Sequence, residues 1–308
     1  MGRYVARRLL QMIPVFIGTT LLIFLMIRGL PGDPIRALWG DKIPDPSQLA
    51  ALRHQFGLDK PLWQQYLDYM GGLFKGDFGV TVAGRPVSEQ MSQAFPVTIR
   101  LTIMAMIFEM VIGLALGVWT GMRRGGAADS FVLVLTLLVI STPVFVLGYI
   151  FRQVFATWLG WVTPTVQNST DIAQLVLPAI VLGSLSLAYV ARLSRTTVAE
   201  NQRADYMRTA MAKGLPRRRI VVNHLLRNSL IPVVTFLGTD FGALMGGAVV
   251  TEGIFNIQGV GGALYQALIR REGTTMVGIV TILVLIYLAM SLIIDLLYAV
   301  LDPRIRYA

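Results

Sequence analysis

From Leu9 to Ile27 the chain runs without a charged residue. As a helix, an apolar stretch of that length crosses the ~30 Å hydrocarbon core of a bilayer. Similar stretches follow at about Val97–Met122, Ser130–Phe151, Leu175–Val190, Leu230–Val250 and Met276–Leu301. Inside lipid every backbone polar group must find its partner within the segment, so runs of this length are read as helices. The expected fold is therefore an all-α polytopic membrane protein with six transmembrane helices. Composition agrees. Only 14% of the residues are charged, against about 25% in soluble domains, and mean hydropathy is +0.63. No small-residue cleavage site follows the first apolar run, which therefore reads as a retained span.

The spans divide the chain. Residues 1–30 form a tail and the first span, 31–95 a polar insert, 96–301 the rest of the membrane core, and 302–308 a second tail. The breaker cluster Arg28-Gly29-Leu30-Pro31-Gly32-Asp33-Pro34 separates the first span from the insert. The insert holds Trp39 and Trp63 and suggests two short helices, about Gln48–Phe56 and Pro61–Phe74. Pro14 and Pro143 are expected to bend the first and third spans. Gly113, Gly117 and Gly121 share one helix face and invite close approach of a neighbouring helix. Arg152–Gln174 reads as a loop whose Trp158 and Trp161 suit an interfacial belt, and Thr251–Thr275 as a Gly-rich loop.

Charge orients the spans. Arg3, Arg7, Arg8, Arg123, Arg124, the basic stretch Arg192–Arg227, Arg304 and Arg306 fall on one side and outnumber the basic residues of the other. The positive-inside rule puts both termini in the cytoplasm and the 31–95 insert outside. In a soluble protein the net charge of +10 would raise nucleic-acid binding. Here it is explained by basic loops on one membrane face, and no nucleic-acid partner is expected. With no cysteine and only His54 and His224, far apart in sequence, neither a disulfide nor a Cys- or His-based metal site is expected.

The longest polar interval of the second half, Glu200–Pro232, lies between two spans on the cytoplasmic side. Ala204, Met207, Ala210 and Met211 recur at helical spacing. Lys213 falls in the last turn, Gly214 stands at the C-terminal cap position and Pro216 forbids continuation. The spacing predicts a helix of about Arg203–Lys213, roughly 16 Å long at ~1.5 Å per residue.

Arg208-Thr209-Ala210-x-x-x-Gly214, followed by a basic run and Leu230-Ile231-Pro232, resembles the EAA loop of ABC importer permeases. Asp205–Leu215 is similar to its dipeptide/oligopeptide branch, the DppB/OppB-like permeases, with Arg208 where the name-giving Glu stands. Phe56-Gly57-Leu58-Asp59-Lys60-Pro61-Leu62-Trp63, with Gly76-Asp77-Phe78-Gly79, resembles that branch's extracytoplasmic insert. Gly246-Gly247-Ala248-Val249, Glu252, Phe255 and Gly259-Val260-Gly261 resemble its fifth-span exit, although Gln258 replaces the usual Pro. The resemblance implies a type I ABC importer permease in a plasma (inner) membrane. Its short cytoplasmic helix, within the loop 192–229, would be a coupling helix seated on an ATPase subunit. The implied coupling residues are Tyr206, Met207, Thr209, Ala210, Lys213 and Gly214, with Arg217 and Arg218. The implied partners are a second homologous permease as heterodimer, two ABC ATPase domains carrying ATP and Mg, an extracytoplasmic substrate-binding protein, and membrane lipid. Di- or oligopeptides are the implied cargo.

No Gly-x-x-x-x-Gly-Lys-Ser/Thr run occurs in the chain, so no nucleotide cofactor, catalytic residue or enzyme activity is expected of it. The Gly259-Val260-Gly261 turn follows no strand and precedes no Lys-Ser/Thr, so it is not a phosphate loop. Asp240 in the fifth span and Glu109 in the second are costly at that depth and hence candidates for function. Asp240 stands about 200° around the helix from Gly238 in the Gly238/Gly242/Gly246 stripe. It reads either as facing a water-filled path or as an internal hydrogen bond or ion pair. Glu109 reads first as a packing or pairing group. The alternative function is an ion-coupled secondary transporter using Asp240 and Glu109, although no internal repeat of the kind such carriers show is visible. A third is a non-transporting scaffold whose basic loop binds a cytosolic partner or anionic lipid.

Overall fold

The computed structural model describes residues 2–29, 45–55, 57–81 and 84–301. Trp39, most of the breaker cluster after Arg28 and the 302–308 tail lie outside the described residues. The architecture is all-α. Among the described residues the only β pairing is an isolated bridge between Val80 and Pro86.

The helices are α1 (Gly2–Arg28), α2 (Pro46–Gln55), α3 (Leu62–Leu73), α4 (Val87–Met122), α5 (Ala127–Ser141), α6 (Val144–Trp158), α7 (Ile172–Asn201), α8 (Asp205–Ala212), α9 (Ile231–Phe255), α10 (Val260–Ile269) and α11 (Gly273–Leu301). Arg217–Arg219, a π-helical Ile220–Leu226 and Arg227–Ser229 lead from α8 to α9. Among the described residues five helices are long and apolar enough to cross a membrane, or six if α5 and α6 count as one broken span.

Several boundaries differ from the expectation. Helix α4 starts at Val87, so the 31–95 insert ends in what is already the second long helix. Its polar residues Ser88, Glu89, Gln90 and Gln93 mask a helical stripe, Val87, Met91 and Ala94, that is buried with Val260 and Ile279. Helix α7 runs to Asn201 rather than Val190, because Ala191, Ser194 and Val198 continue its buried stripe past Arg192 and Arg195. The first part of the 192–229 loop is therefore helix. The third span is not one bent rod. Pro143 has no N–H and forces Thr142 into an extended conformation (φ −100°, ψ 125°), and α5 and α6 meet at 108°. In the expected 251–275 loop, α9 continues to Phe255, where Asn256 closes it in the left-handed conformation (φ 54°), and α10 follows. The Trp loop likewise begins as the π-helical end of α6, Arg152–Trp158.

The chain divides into two compact units, Met1–Val97 with Gln258–Ala308, and Thr98–Ile257. In the first, Phe24 of α1 is 6.3 Å from Tyr69 of α3 in a stacked arrangement, and Thr20 shares a 3.0 Å hydrogen bond with Tyr66. The Tyr69 hydroxyl donates to Thr281 of α11, and burial pushes that phenol up to about 12. In the second, the Gly113/Gly117/Gly121 stripe does what its spacing suggests. A Cβ on Gly113 would stand 2.9 Å from Val190, one on Gly117 2.5 Å from the Ala191 carbonyl oxygen, and one on Gly121 2.8 Å from the Arg195 carbonyl oxygen. Helices α4 and α7 touch at backbone distance along this line.

Candidate functional site

Helix α8 is the polar element that the long helices hold in place. Ala204 is extended (φ −68°, ψ 151°), so the helix opens at Asp205, two residues later than expected, and is about 12 Å long. Asp205 in the first turn complements the helix dipole. At the other end Gly214 has φ +69°. Its N–H donates to Met211 O at 3.0 Å, and the Leu215 N–H donates to Ala210 O at 3.4 Å. These two bonds make a Schellman cap, and Leu215 packs beside Met207 and Ala210 as the apolar contact such caps carry. Pro216 then keeps the chain extended (φ −62°, ψ 141°).

Two faces result. Met207 and Ala210 are buried against Val198, Ile220 and Leu225, with Val118 and Met122 behind them. They anchor α8 to its own chain and do not face outward with the other residues of the expected coupling set. Tyr206, Thr209, Lys213, Gly214, Arg217 and Arg218 are exposed. The Tyr206 hydroxyl donates to Asn201 Oδ1 at 2.6 Å, tying the first turn of α8 to the last turn of α7. Arg208 reaches Asp205 only at 3.8 Å with both side chains exposed, which contributes little. The inward face is what fixes the orientation of the outward one.

The junction also rests on an ion pair that spacing alone did not reveal. Arg195 of α7 makes a two-pronged contact with Asp129 of α5, Nε to Oδ1 at 2.5 Å and Nη2 to Oδ2 at 2.7 Å. Asp129 Oδ2 also accepts from the Gly125 N–H at 2.9 Å. The side chains are 15% and 3% exposed. Removing one partner of such a pair leaves an uncompensated buried charge, at a cost of about 3 kcal/mol. Arg195→Ala is expected to lower the melting temperature of the detergent-purified protein by several degrees, and Arg195→Lys by less. An unchanged melting curve for Arg195→Ala would show the pair to be dispensable.

The two membrane carboxylates lie together. Glu109 begins a π-helical turn, Glu109–Gly113, within α4. It is fully buried, and among the described residues neither carboxyl oxygen makes a hydrogen bond of good geometry. Asp240 of α9 and Ser186 of α7 are its polar neighbours. Asp240 is only 8% exposed and sits on the buried face of α9 with Val233, Leu237 and Leu244. Gly246, from the stripe read as the packed face, meets nothing within 4 Å. Glycines every four residues do not reveal which side carries the neighbour. Glu252, noted only as part of the exit pattern, is also fully buried and accepts a 2.7 Å hydrogen bond from Thr98.

Residues 113–307, which include the capped helix and the glycine stripe, match the family model of the binding-protein-dependent transport system inner membrane component. Residues 1–89 match the corresponding N-terminal model of these membrane components. The chain belongs to this permease family. It is 38% identical to the di/tripeptide transport system permease protein DppB of Pseudomonas aeruginosa, over 99% of this chain and 98% of that one. It is 36% identical to the dipeptide transport system permease protein DppB of Escherichia coli, over 100% and 99%. It is 38% identical to the glutathione transport system permease protein GsiC of Salmonella typhimurium, over the whole of both. The permease is thus a DppB/OppB-like membrane subunit of an ABC importer, with the type I importer fold. It is a transport component rather than an enzyme, and an ion-coupled carrier is not favoured.

Proposed function

We propose that the permease forms half of the translocation pore of an ATP-driven importer for di- and oligopeptides. In this reading its partner in the membrane is a second, homologous permease. Two ABC ATPase domains, with ATP and Mg, complete the assembly, one of them seated on the exposed face of α8, and a substrate-binding protein delivers cargo from outside. Both termini and α8 lie in the cytoplasm of a cell with this importer in its inner membrane, and the segment before α4 lies outside, in line with the distribution of Lys and Arg. The observation that carries the coupling role is the two-faced α8: Met207 and Ala210 bolt it to the chain while Tyr206, Thr209 and Lys213 are exposed. Arg217 and Arg218 extend the exposed face beyond the cap. Peptide cargo is supported by the peptide and glutathione permeases that match the full length. Glu109 and Asp240 are assigned to the wall of the path, packed between α4, α7 and α9, rather than to its lumen.

The chain has no cysteine, which makes a direct test simple. A permease carrying Thr209→Cys is expected to cross-link to an ATPase subunit in native membranes, in a nucleotide-dependent manner. A Ser92→Cys control, exposed near the start of α4, is expected not to. Reconstituted with its partners, the importer should take up a labelled dipeptide only with ATP. No ATPase adduct at Thr209 would overturn the coupling assignment, and ATP-driven uptake of some other solute class would overturn the peptide assignment alone.

A further inference from the structure

A cavity of about 230 Å³ lies in the first unit, between the start of α4, the end of α10 and the start of α11. It is smaller than the roughly 300–1,000 Å³ of sites that take drug-sized ligands, so any occupant is small. Its walls carry two guanidinium groups, Arg85 and Arg270, and two carboxylates, Glu89 and Glu272. We propose that this cavity is a binding site for small zwitterions with a free ammonium and a free carboxylate, the class of amino acids and short peptides.

Among the described residues, the wall charges are joined to one another only by the long Arg270–Glu272 contact. Arg85 and Glu89 make no side-chain hydrogen bond or ion pair with any described residue. Glu272 accepts from Thr275 Oγ1 at 2.9 Å through Oε2, which leaves Oε1 turned toward Arg270 at 4.0 Å, beyond hydrogen-bond length. The Oε1 atom of Gln90, also on the wall, is buried and has no partner among the described residues. A buried amide oxygen left unmatched costs about 1–3 kcal/mol, and an ammonium or amide N–H entering the cavity would satisfy it. A lone anion would meet Glu89 and Glu272 and a lone cation would meet Arg85 and Arg270. Only a ligand with both signs complements all four.

The walls are also pre-set. Thr81 and Arg85 close a turn through Thr81 N–H to Arg85 O at 2.8 Å and Arg85 N–H to Thr81 Oγ1 at 3.1 Å. Opposite, Arg271 adopts the left-handed conformation (φ 57°) and the Glu272 N–H returns to Ala267 O at 2.9 Å. A fixed backbone loses little freedom on binding, so the ordering cost falls on the exposed Arg85 and Glu89 side chains. That the site stands where cargo enters rests on the outward orientation proposed above, whereas the binding chemistry does not.

The test is direct binding of alanyl-alanine to the purified full-length permease in lipid nanodiscs, without ATP, ATPase or binding protein. Saturable binding in the millimolar range is expected. N-acetylated and C-amidated forms of the same dipeptide should each bind at least tenfold more weakly. Arg85→Ala and Glu89→Gln should do the same, while Arg227→Ala should not. Both cavity residues are exposed, so these variants are expected to keep the parent's elution volume on size exclusion. The capped dipeptides test the idea without any mutation. No saturable binding, equal binding of capped and free dipeptide, or unchanged binding in both variants would overturn the site. Peptide uptake by the reconstituted importer is a separate measurement, so the site can fail while the importer reading stands.

Discussion

Leucine at Gly117 is expected to leave no folded permease. Even a bare Cβ there would sit 2.5 Å from the Ala191 carbonyl oxygen and 2.5 Å from Ser194 Cβ. The first obstacle is backbone, so no rotamer change relieves it. Helix α7 cannot retreat locally, because it packs as closely at Gly113 and Gly121, where an added Cβ would stand 2.9 Å from Val190 and 2.8 Å from the Arg195 carbonyl oxygen. Overpacking costs about 1–3 kcal/mol where neighbours yield. Here they do not, and the cost exceeds that range. The measurement is fluorescence-detected size exclusion of a tagged permease in mild detergent, with a monodisperse peak for the parent and aggregate for Gly117→Leu. Gly246→Leu is the matched comparison. Nothing lies within 4 Å of that position and leucine is a better helix former than glycine, so this variant should keep the folded peak. A monodisperse Gly117→Leu permease would refute the packing seen along α4 and α7.

Valine at Gly214 should leave the fold intact and break transport. The position has φ +69° and open space around a hypothetical Cβ, so the penalty lies in the backbone alone. A left-handed residue other than glycine costs about 1–2 kcal/mol, and a β-branched one more. The chain avoids that cost by unwinding the Schellman cap, which releases the two hydrogen bonds to Met211 and Ala210 and turns Lys213 and Arg217 away from their present direction. Expected are normal membrane abundance, at least a tenfold fall in ATP-driven uptake, and ATP hydrolysis that persists without transport. Asparagine, which tolerates the left-handed region, should restore most of the uptake. Equal uptake by the valine and glycine forms would mean that the cap geometry plays no part in coupling.

The all-α architecture and the capped helix were readable because they rest on local rules. Apolar length marks the long helices, and Lys213-Gly214-x-Pro216 marks a helix end whatever surrounds it. What was misread depended on tertiary partners. The first turns of α4 looked polar because only every third or fourth residue, Val87, Met91 and Ala94, is buried. Helix α7 ran on past Arg192 because α4 covers it there. Between the two settings open to Asp240, a water-filled path or an internal contact, the Gly238/Gly242/Gly246 stripe could not choose, because it does not mark which side of α9 carries the neighbour. The burial of Asp240 beside Glu109 and Ser186 comes from residues 54 to 131 positions away. The Asp129–Arg195 pair joins positions 66 apart, and no short-range pattern signals such a pairing.

Helix α7 is thirty residues long, with Pro178 in its second turn, about 45 Å at ~1.5 Å per residue, against ~30 Å of hydrocarbon. It projects beyond the lipid as a stiff mast, with α8 fastened to its tip through Tyr206 and Asn201. Lower down, a Cβ on Gly183 would lie 2.8 Å from the Ala105 carbonyl oxygen, and the contacts from Gly113 to Gly121 follow on the same side. Mast and neighbour are thus clamped over most of their shared length and swing as one plank. In the coupling role proposed for α8, a push on it would reach mid-membrane as a tilt of this plank, with the crossing at Gly183 and Ala105 as fulcrum. The give has to come from hinge points off the plank, at the right-angle break of Thr142–Pro143 and in the π-wound stretch Ile220–Leu226.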